Sequence, residues 1–329
     1  MIKLTILDGH AVNPGDLPWT FLDGIVDYKV YERTAQNEVI ERIGDSDAIF
    51  LNKIQITKEI FDACPNLKYI GVLATGYNVI DLEAARTHGV TVTNIPAYSS
   101  DSVAQHVFSF ILYFTNQVAQ HSASVMAGDW VKCCDFCFWN GSLSELNGKT
   151  LGIFGYGNIG KRVSEIAKAF GMKVICCTRT PKEGMPEAVS FEDLLKRSDF
   201  LTLHAPLTEE TKNIINRESL FLMKKSSYLI NTARGGFVVE QDLADYLNAD
   251  GIAGYAADVL LQEPMAKDCP LLNAKNCIIT PHIAWAPRET RKRLQGIAEE
   301  NLRAWLAGKP INVVSQKNSY PELDSGSQL

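Results

Sequence analysis

The chain lacks a long apolar run. Its longest, VFSFILYF at 107–114, falls far short of the ~20 residues that cross a bilayer. No signal-peptide cleavage pattern follows the opening MIKLTILDGH, so a cytoplasmic protein away from membranes is expected. There is no basic excess: 32 Lys and Arg face 38 Asp and Glu, for a net charge of −6. That balance argues against a general nucleic-acid binder and leaves room for a local basic pocket. Paired metal knuckles are missing too. Cys133, Cys134 and Cys137 cluster, but no second knuckle follows and no histidine lies nearby in sequence to complete a zinc tetrahedron. The eight cysteines read as reduced, packed thiols with no metal site. No repeat of solenoid period is present.

What the chain does have is alternation. At 329 residues it can hold two domains, and 46% hydrophobic with 21% charged residues is an ordinary globular balance. Through the first hundred residues, KLTILD, IVDYKVYE, DAIFLN, LKYIGVLA and VTVTN read as strands. Between them TAQNEVIERIG, TKEIFDACP and DLEAARTHG read as helices closed by Gly or Pro. That is βαβ rhythm, hence a parallel sheet with helices on its faces. SSDSVAQHVFSFILYFTNQVAQHSASVMAG then reads as one long helix ending at Gly128, apolar nearly all round and therefore buried. A second series, TLGIFG, KVICCT, DFLTLHAP, SSYLINTA, GIAGYAADV and NCIITPH, supplies six strands, enough for a doubly wound nucleotide domain. A final helix from about Pro287 to Gly308 leads back to the first domain. The polar tail after Val314 reads as mobile or laid along the surface.

The chemistry sits at the strand ends of the second series. GYGNIG, residues 155–160, is weak evidence alone, but a strand precedes it and the helix KRVSEIAKAF follows. Free N–H groups and the helix dipole there attract a pyrophosphate. Gly155 permits the tight turn, Gly157 lets phosphate approach the backbone, and Gly160 lets helix and strand pack closely. Arg234 in NTARGG, Glu263 in DVLLQEP and His282 in TPHIAW each follow a different strand. Each alone reads as a solvated charge or a structural histidine. Together they converge on the carboxyl edge, where open α/β sheets bind ligands. Arg can grip a carboxylate with two parallel hydrogen bonds. An imidazolium can give a proton to a carbonyl oxygen receiving hydride, and a neighbouring carboxylate favours its protonated form.

With these residues in place the sequence resembles the D-isomer-specific 2-hydroxyacid dehydrogenase family, and within it the glycerate dehydrogenases, or hydroxypyruvate reductases. The likeness runs from about Leu4 to Val314. It rests on ATGYNVID (74–81), NIPAYSSDSVAQH (94–106), GYGNIG, NTARGG, DVLLQEP and TPHIAW. It implies catalytic roles for Arg234, Glu263 and His282, and a substrate-carboxylate cradle made by the backbone of Ala74, Thr75 and Gly76. It also implies cofactor contacts at Asn158, Ile159, Ala205, Pro206, Thr232, Asp258 and Trp285. The implied fold is two Rossmann-like doubly wound domains. A discontinuous substrate domain takes residues 1–100 and 287–329, and a dinucleotide domain takes 101–286. A homodimer built around the long apolar helix is implied as well. The expected reaction interconverts hydroxypyruvate and D-glycerate. A glyoxylate or broad 2-keto-acid reductase is the alternative enzyme, and a dinucleotide-sensing corepressor the alternative without catalysis.

One position departs from the family pattern. The run VICCTRTPK at 174–182 has no acid at its strand end, where Asp or Glu would hold the ribose hydroxyls of NAD. Thr178 stands there instead, with Arg179 beside it and Thr180 and Lys182 close by. A neutral Thr and a cation suit a 2′-phosphate, which puts NADP(H) ahead of NAD. The other reading is that Thr178 relaxes selectivity and Arg179 packs on the adenine face, leaving NAD usable.

Overall fold

The computed structural model describes residues 1–315; the polar tail beyond them lies outside what is described. The chain forms two compact units, Met1–Ser99 with the segment from Trp285 onward, and Ser100–Ala284.

In the first unit five strands, β1 (Lys3–Ile6), β2 (Asp27–Val30), β3 (Ala48–Leu51), β4 (Tyr69–Val72) and β5 (Thr91–Thr93), pair in parallel in the order β2-β1-β3-β4-β5. β3 and β4 are buried at every residue, as continuous apolar runs covered on both faces must be. One cover is the helix Arg288–Leu306. Its Leu294, Ala298 and Leu302 join the core of Phe50 and Tyr69, and Trp305 stacks on Tyr69 with ring centroids 4.8 Å apart. The buried Asn301 donates from Nδ2 to the Asn94 carbonyl at 2.9 Å. The chain then returns to the sheet edge, where the Val314 N–H reaches the Val92 carbonyl.

The second unit holds seven parallel strands: β6 (Thr150–Phe154), β7 (Lys173–Cys177), β8 (Glu187–Ala188), β9 (Phe200–Leu203), β10 (Tyr228–Asn231), β11 (Gly254–Ala257) and β12 (Cys277–Ile279). Their order is β12-β11-β10-β9-β6-β7-β8. The sheet grows both ways from β6, so the order reverses between β6 and β9. Ligands bind outside that switch point in doubly wound folds. Six strands were expected, and the seventh is β8. At two residues it is too short to carry a periodic pattern.

The long helix expected after Ser99 is two helices, Ser100–Asn116 and Val118–Met126. They part at Gln117, whose φ of 50° and ψ of 35° lie in the left-handed region. No Gly or Pro marks the break. The first helix buries Val103, Val107, Phe110, Ile111 and Phe114 inside its unit. The second has no buried residue. Beyond it Val131 (91%), Phe136 (89%) and Trp139 (65%) stand open to solvent. The segment is nonetheless tied down. Trp130 Nε1 donates to the Phe136 carbonyl and the Asn140 N–H to His121 Nε2, both at 3.0 Å. Among the described residues no helix is long and apolar enough to cross a membrane.

Candidate active site

The glycine turn shows why each glycine stands where it does. Gly155 has φ +92°, and a Cβ there would lie 2.3 Å from the Ala205 nitrogen. Only glycine lets the exits of β6 and β9 come this close. A Cβ on Gly160 would meet the Gly155 carbonyl oxygen at 2.4 Å, so this glycine seats the helix Asn158–Ala169 against the turn. Around Gly157 a Cβ would meet nothing within 4 Å. An exposed Gly157 and Asn158, with the half-buried Ile159, begin a 12-residue helix whose first N–H groups have no partner within it. Open space in front of unfilled donors suits a pyrophosphate.

Two strands away, a second close approach positions the charged groups. A Cβ on Gly235 would lie 1.9 Å from the Leu260 carbonyl carbon and 2.2 Å from the Leu261 nitrogen. The loop carrying Arg234 is thereby pressed against the loop carrying Glu263. The buried Asn231 stiffens the first loop, accepting from the Ala233 N–H at 3.0 Å and donating to the Arg234 carbonyl at 2.7 Å. Arg234 is exposed, and its Nη1 donates to the Ala233 carbonyl at 2.7 Å. On the second loop Glu263 Oε1 accepts the Leu260 N–H at 3.0 Å, and Glu240 Oε1 the Leu261 N–H at 2.8 Å. Glu263 Oε2 lies 2.6 Å from His282 Nδ1. The carboxylate thus fixes the ring through Nδ1.

His282 is held in a left-handed conformation, φ 55°. Its N–H reaches the carbonyls of Asp258 and Thr280 at 2.8 and 3.0 Å. Asp258, 1% exposed, accepts the N–H groups of Ile283 and Ala284, each at 2.8 Å. Of the residues expected to touch a cofactor, Thr232 is buried and its hydroxyl has no hydrogen-bond partner. Such an orphan group is costly unless something bonds to it, and with the space at Gly157 it makes this edge fit a dinucleotide. Ala205 and Pro206 follow β9, and the Pro206 carbonyl accepts from the Thr211 hydroxyl at 2.9 Å. Thr178 is half-buried one residue past β7, with Arg179 exposed beside it. Sequence reasoning missed Asn231, Gly235 and Glu240; the doubled glycine after Arg234 was the one available signal.

The remaining expected residues belong to the first unit. Ala74, Thr75 and Gly76 follow β4. The Ala74 carbonyl accepts the Ile95 N–H at 2.9 Å and the Thr75 carbonyl accepts Asn94 Nδ2 at 2.8 Å. The Thr75 hydroxyl donates to the Ile95 carbonyl at 2.8 Å. These contacts use the loop's carbonyls and hydroxyl rather than its N–H groups. Trp285 is half-buried against the core of this unit.

Residues 108–284 match the family model described as D-isomer specific 2-hydroxyacid dehydrogenase, NAD binding domain. The chain is 44% identical to a hydroxypyruvate reductase of Blautia hydrogenotrophica, over 96% of this chain and 100% of that one. It is 40% identical to a glycerate dehydrogenase of Methylorubrum extorquens, over 88% and 92%. Among solved structures it resembles an NADPH-dependent glyoxylate/hydroxypyruvate reductase from Sinorhizobium meliloti in complex with NADP and malonate. There the TM-score is 0.80 and the identity 26%, over 100% of this chain and 99% of that one.

One buried ring at this edge makes the fold sensitive to acid. His204 follows β9; its Nε2 pairs with the Thr202 hydroxyl at 2.9 Å, and its Nδ1 is sealed without a partner. Burial pulls its pKa from 6.5 down to about 3. Below pH ~6.5 the unfolded chain takes up a proton that the folded ring refuses, so stability falls as pH drops toward ~3. Above ~6.5 this contribution is fully retained. The thermal midpoint of His204→Gln is expected to drop less between pH 7 and pH 4.5 than that of the wild type. Equal drops would remove this ring as the cause.

Proposed function

The chain belongs to the D-isomer-specific 2-hydroxyacid dehydrogenase family, and on that basis we propose that it interconverts hydroxypyruvate and D-glycerate with a nicotinamide dinucleotide. One observation carries the chemistry: His282 Nδ1 sits 2.6 Å from Glu263, on a loop that Gly235 presses against the one bearing Arg234. The dinucleotide supplies or accepts the hydride when bound. Arg234 holds the substrate carboxylate with its two-pronged guanidinium. His282 donates the Nε2 proton to the carbonyl oxygen as charge develops there, and takes it back in the reverse direction. Glu263 keeps the ring oriented through its contact with Nδ1. Ala74, Thr75 and Gly76 are assigned to the substrate carboxylate. Residues 1–100 with 287–329 then form the substrate domain, and 101–286 the dinucleotide domain. The names of the Blautia and Methylorubrum relatives support hydroxypyruvate and glycerate, and the Sinorhizobium neighbour's name adds glyoxylate as the alternative substrate. A cytoplasmic setting, read from the sequence, completes the assignment.

For catalysis, His282→Ala and Arg234→Ala are expected to lower turnover ~100-fold or more while circular dichroism stays native. Glu263→Gln should also lower turnover, because the ring loses the carboxylate that orients it. Measured on hydroxypyruvate, glyoxylate, pyruvate and phenylpyruvate, the wild type should be most efficient with hydroxypyruvate. Near-normal turnover by His282→Ala at neutral pH would sink the mechanism.

For the cofactor, we infer a preference for NADPH. Thr178 brings no charge against a 2′-phosphate, and Arg179 beside it can pair with one. Arg179 also lies near enough to Glu210 to help hold that carboxyl below its usual range, after the Thr208 hydroxyl bonded to it. Thr178→Asp with Arg179→Ala should raise KM for NADPH far more than KM for NADH. Wild-type efficiency with NADH equal to or above that with NADPH would overturn the preference.

For assembly, we infer a two-fold homodimer. Its support is the ordered apolar segment around Val131, Phe136 and Trp139, whose exposure exceeds what a lone chain usually leaves in water. Light scattering should return a two-chain mass at micromolar concentration, and Val131→Glu with Phe136→Glu should lower it. A one-chain mass for the wild type would refute the dimer.

A further inference from the structure

The motif NIPAYSSDSVAQH ends in a histidine that the proposed mechanism leaves unused. His106 lies in the second turn of the helix Ser100–Asn116, half-buried, with its ring edge-on to Phe110 at 4.6 Å between centroids. Its Nε2 is 2.9 Å from the Thr280 hydroxyl and 3.6 Å from Asp258 Oδ1. Thr280 Oγ1 in turn lies 2.6 Å from Asp258 Oδ1.

Donor counting sets the direction of this chain. A carboxylate only accepts, so the single Thr280 proton goes to Asp258. The Thr280 oxygen must then accept from His106, whose proton is on Nε2. Burial lowers the pKa of His106 against the opposing pull of Asp258, consistent with a neutral ring carrying one proton. At the far end, Asp258 has committed both oxygens to the backbone of Ile283 and Ala284. Those N–H groups adjoin His282, whose left-handed φ of 55° is a conformation that persists only where surrounding contacts enforce it.

We propose that His106 is a positioning residue for His282, acting through Thr280 and Asp258 to hold the turn that aims the catalytic imidazole at Glu263. The proposal rests on the dehydrogenase reading and adds a residue from a different helix to it. His106 touches no reacting atom. It fixes the Thr280 hydroxyl, the hydroxyl fixes the plane of the Asp258 carboxylate, and the carboxylate caps the turn. Small misplacement of a catalytic group is enough to slow turnover by one or two orders of magnitude.

Three variants separate this role from packing. His106→Phe keeps a ring against Phe110 and removes the donor; Thr280→Val cuts the same relay one step later; His106→Gln restores a donor. With hydroxypyruvate and NADPH, His106→Phe and Thr280→Val are each expected to lower kcat about tenfold, with KM for the keto acid changed less than about twofold. The double variant should be little worse than either single one, and His106→Gln should recover most of the loss. Unchanged kcat in His106→Phe, or a His106→Gln as impaired as His106→Phe, would overturn the relay. Nitrogen NMR of the histidine rings reads it without turnover. At pH 8 the His106 proton should sit on Nε2, and a proton on Nδ1 would overturn the proposal even if the enzyme acted on another substrate. A wild type inactive on every 2-keto acid, with the Nε2 proton present, would count against the proposed function and leave the relay standing.

Discussion

Two places where backbone meets backbone set the geometry of the whole carboxyl edge. Parallel neighbours run ~4.8 Å apart, and loops with ordinary side chains would splay as they leave such strands. Gly155 against Ala205 and Gly235 against Leu260 instead let the exits of β6 and β9, and of β10 and β11, converge. The first contact leaves the mouth of the glycine turn open at Gly157. The second presses the loop that carries Arg234 against the loop that carries Glu263. Neither glycine meets a ligand through a side chain of its own, yet the placement of Arg234 and Glu263 follows from Gly235.

Acidic side chains then stiffen what the glycines bring together. Asp258, Glu263 and Glu240 all accept backbone N–H groups from the loops after β11 and β12. A carboxylate is expensive to bury unless donors surround it, and a turn at positive φ costs about 1–3 kcal/mol unless its surroundings enforce it. Around His282 the two requirements meet: the bonds that satisfy Asp258 are the ones that hold the turn. The imidazole is therefore carried on a hydrogen-bonded turn, and it stays partly exposed.

Much of this was legible in the chain and some was not. Strands such as DAIFLN and TLGIFG stood out because a buried parallel strand needs a continuous apolar run. Arg234, Glu263 and His282 could be placed at strand ends by counting from those runs. Their mutual distances could not, because Gly235 and Leu260 are distant in sequence and nothing local records that they touch. β8 carries too few residues for a pattern. The helix break at Gln117 has no sequence mark either, since glutamine takes a conformation there that Gly or Asn more often signals. Burial was misread along the same stretch: an apolar run continued as one helix hides the change from Phe110, packed inside, to Val118 and Met126, left outside.

The first unit is interrupted: the chain leaves it at Ser99 and comes back only at Trp285. On the ribosome this imposes an order. All five strands of the first sheet emerge early, but the helix that brings Trp305 onto Tyr69 and Asn301 onto Asn94 emerges after the whole of Ser100–Ala284. The intervening unit has every one of its strands in hand first and can close around its own core. The first 99 residues must wait with an apolar sheet face uncovered, which makes a stalled or truncated chain a natural client for chaperones.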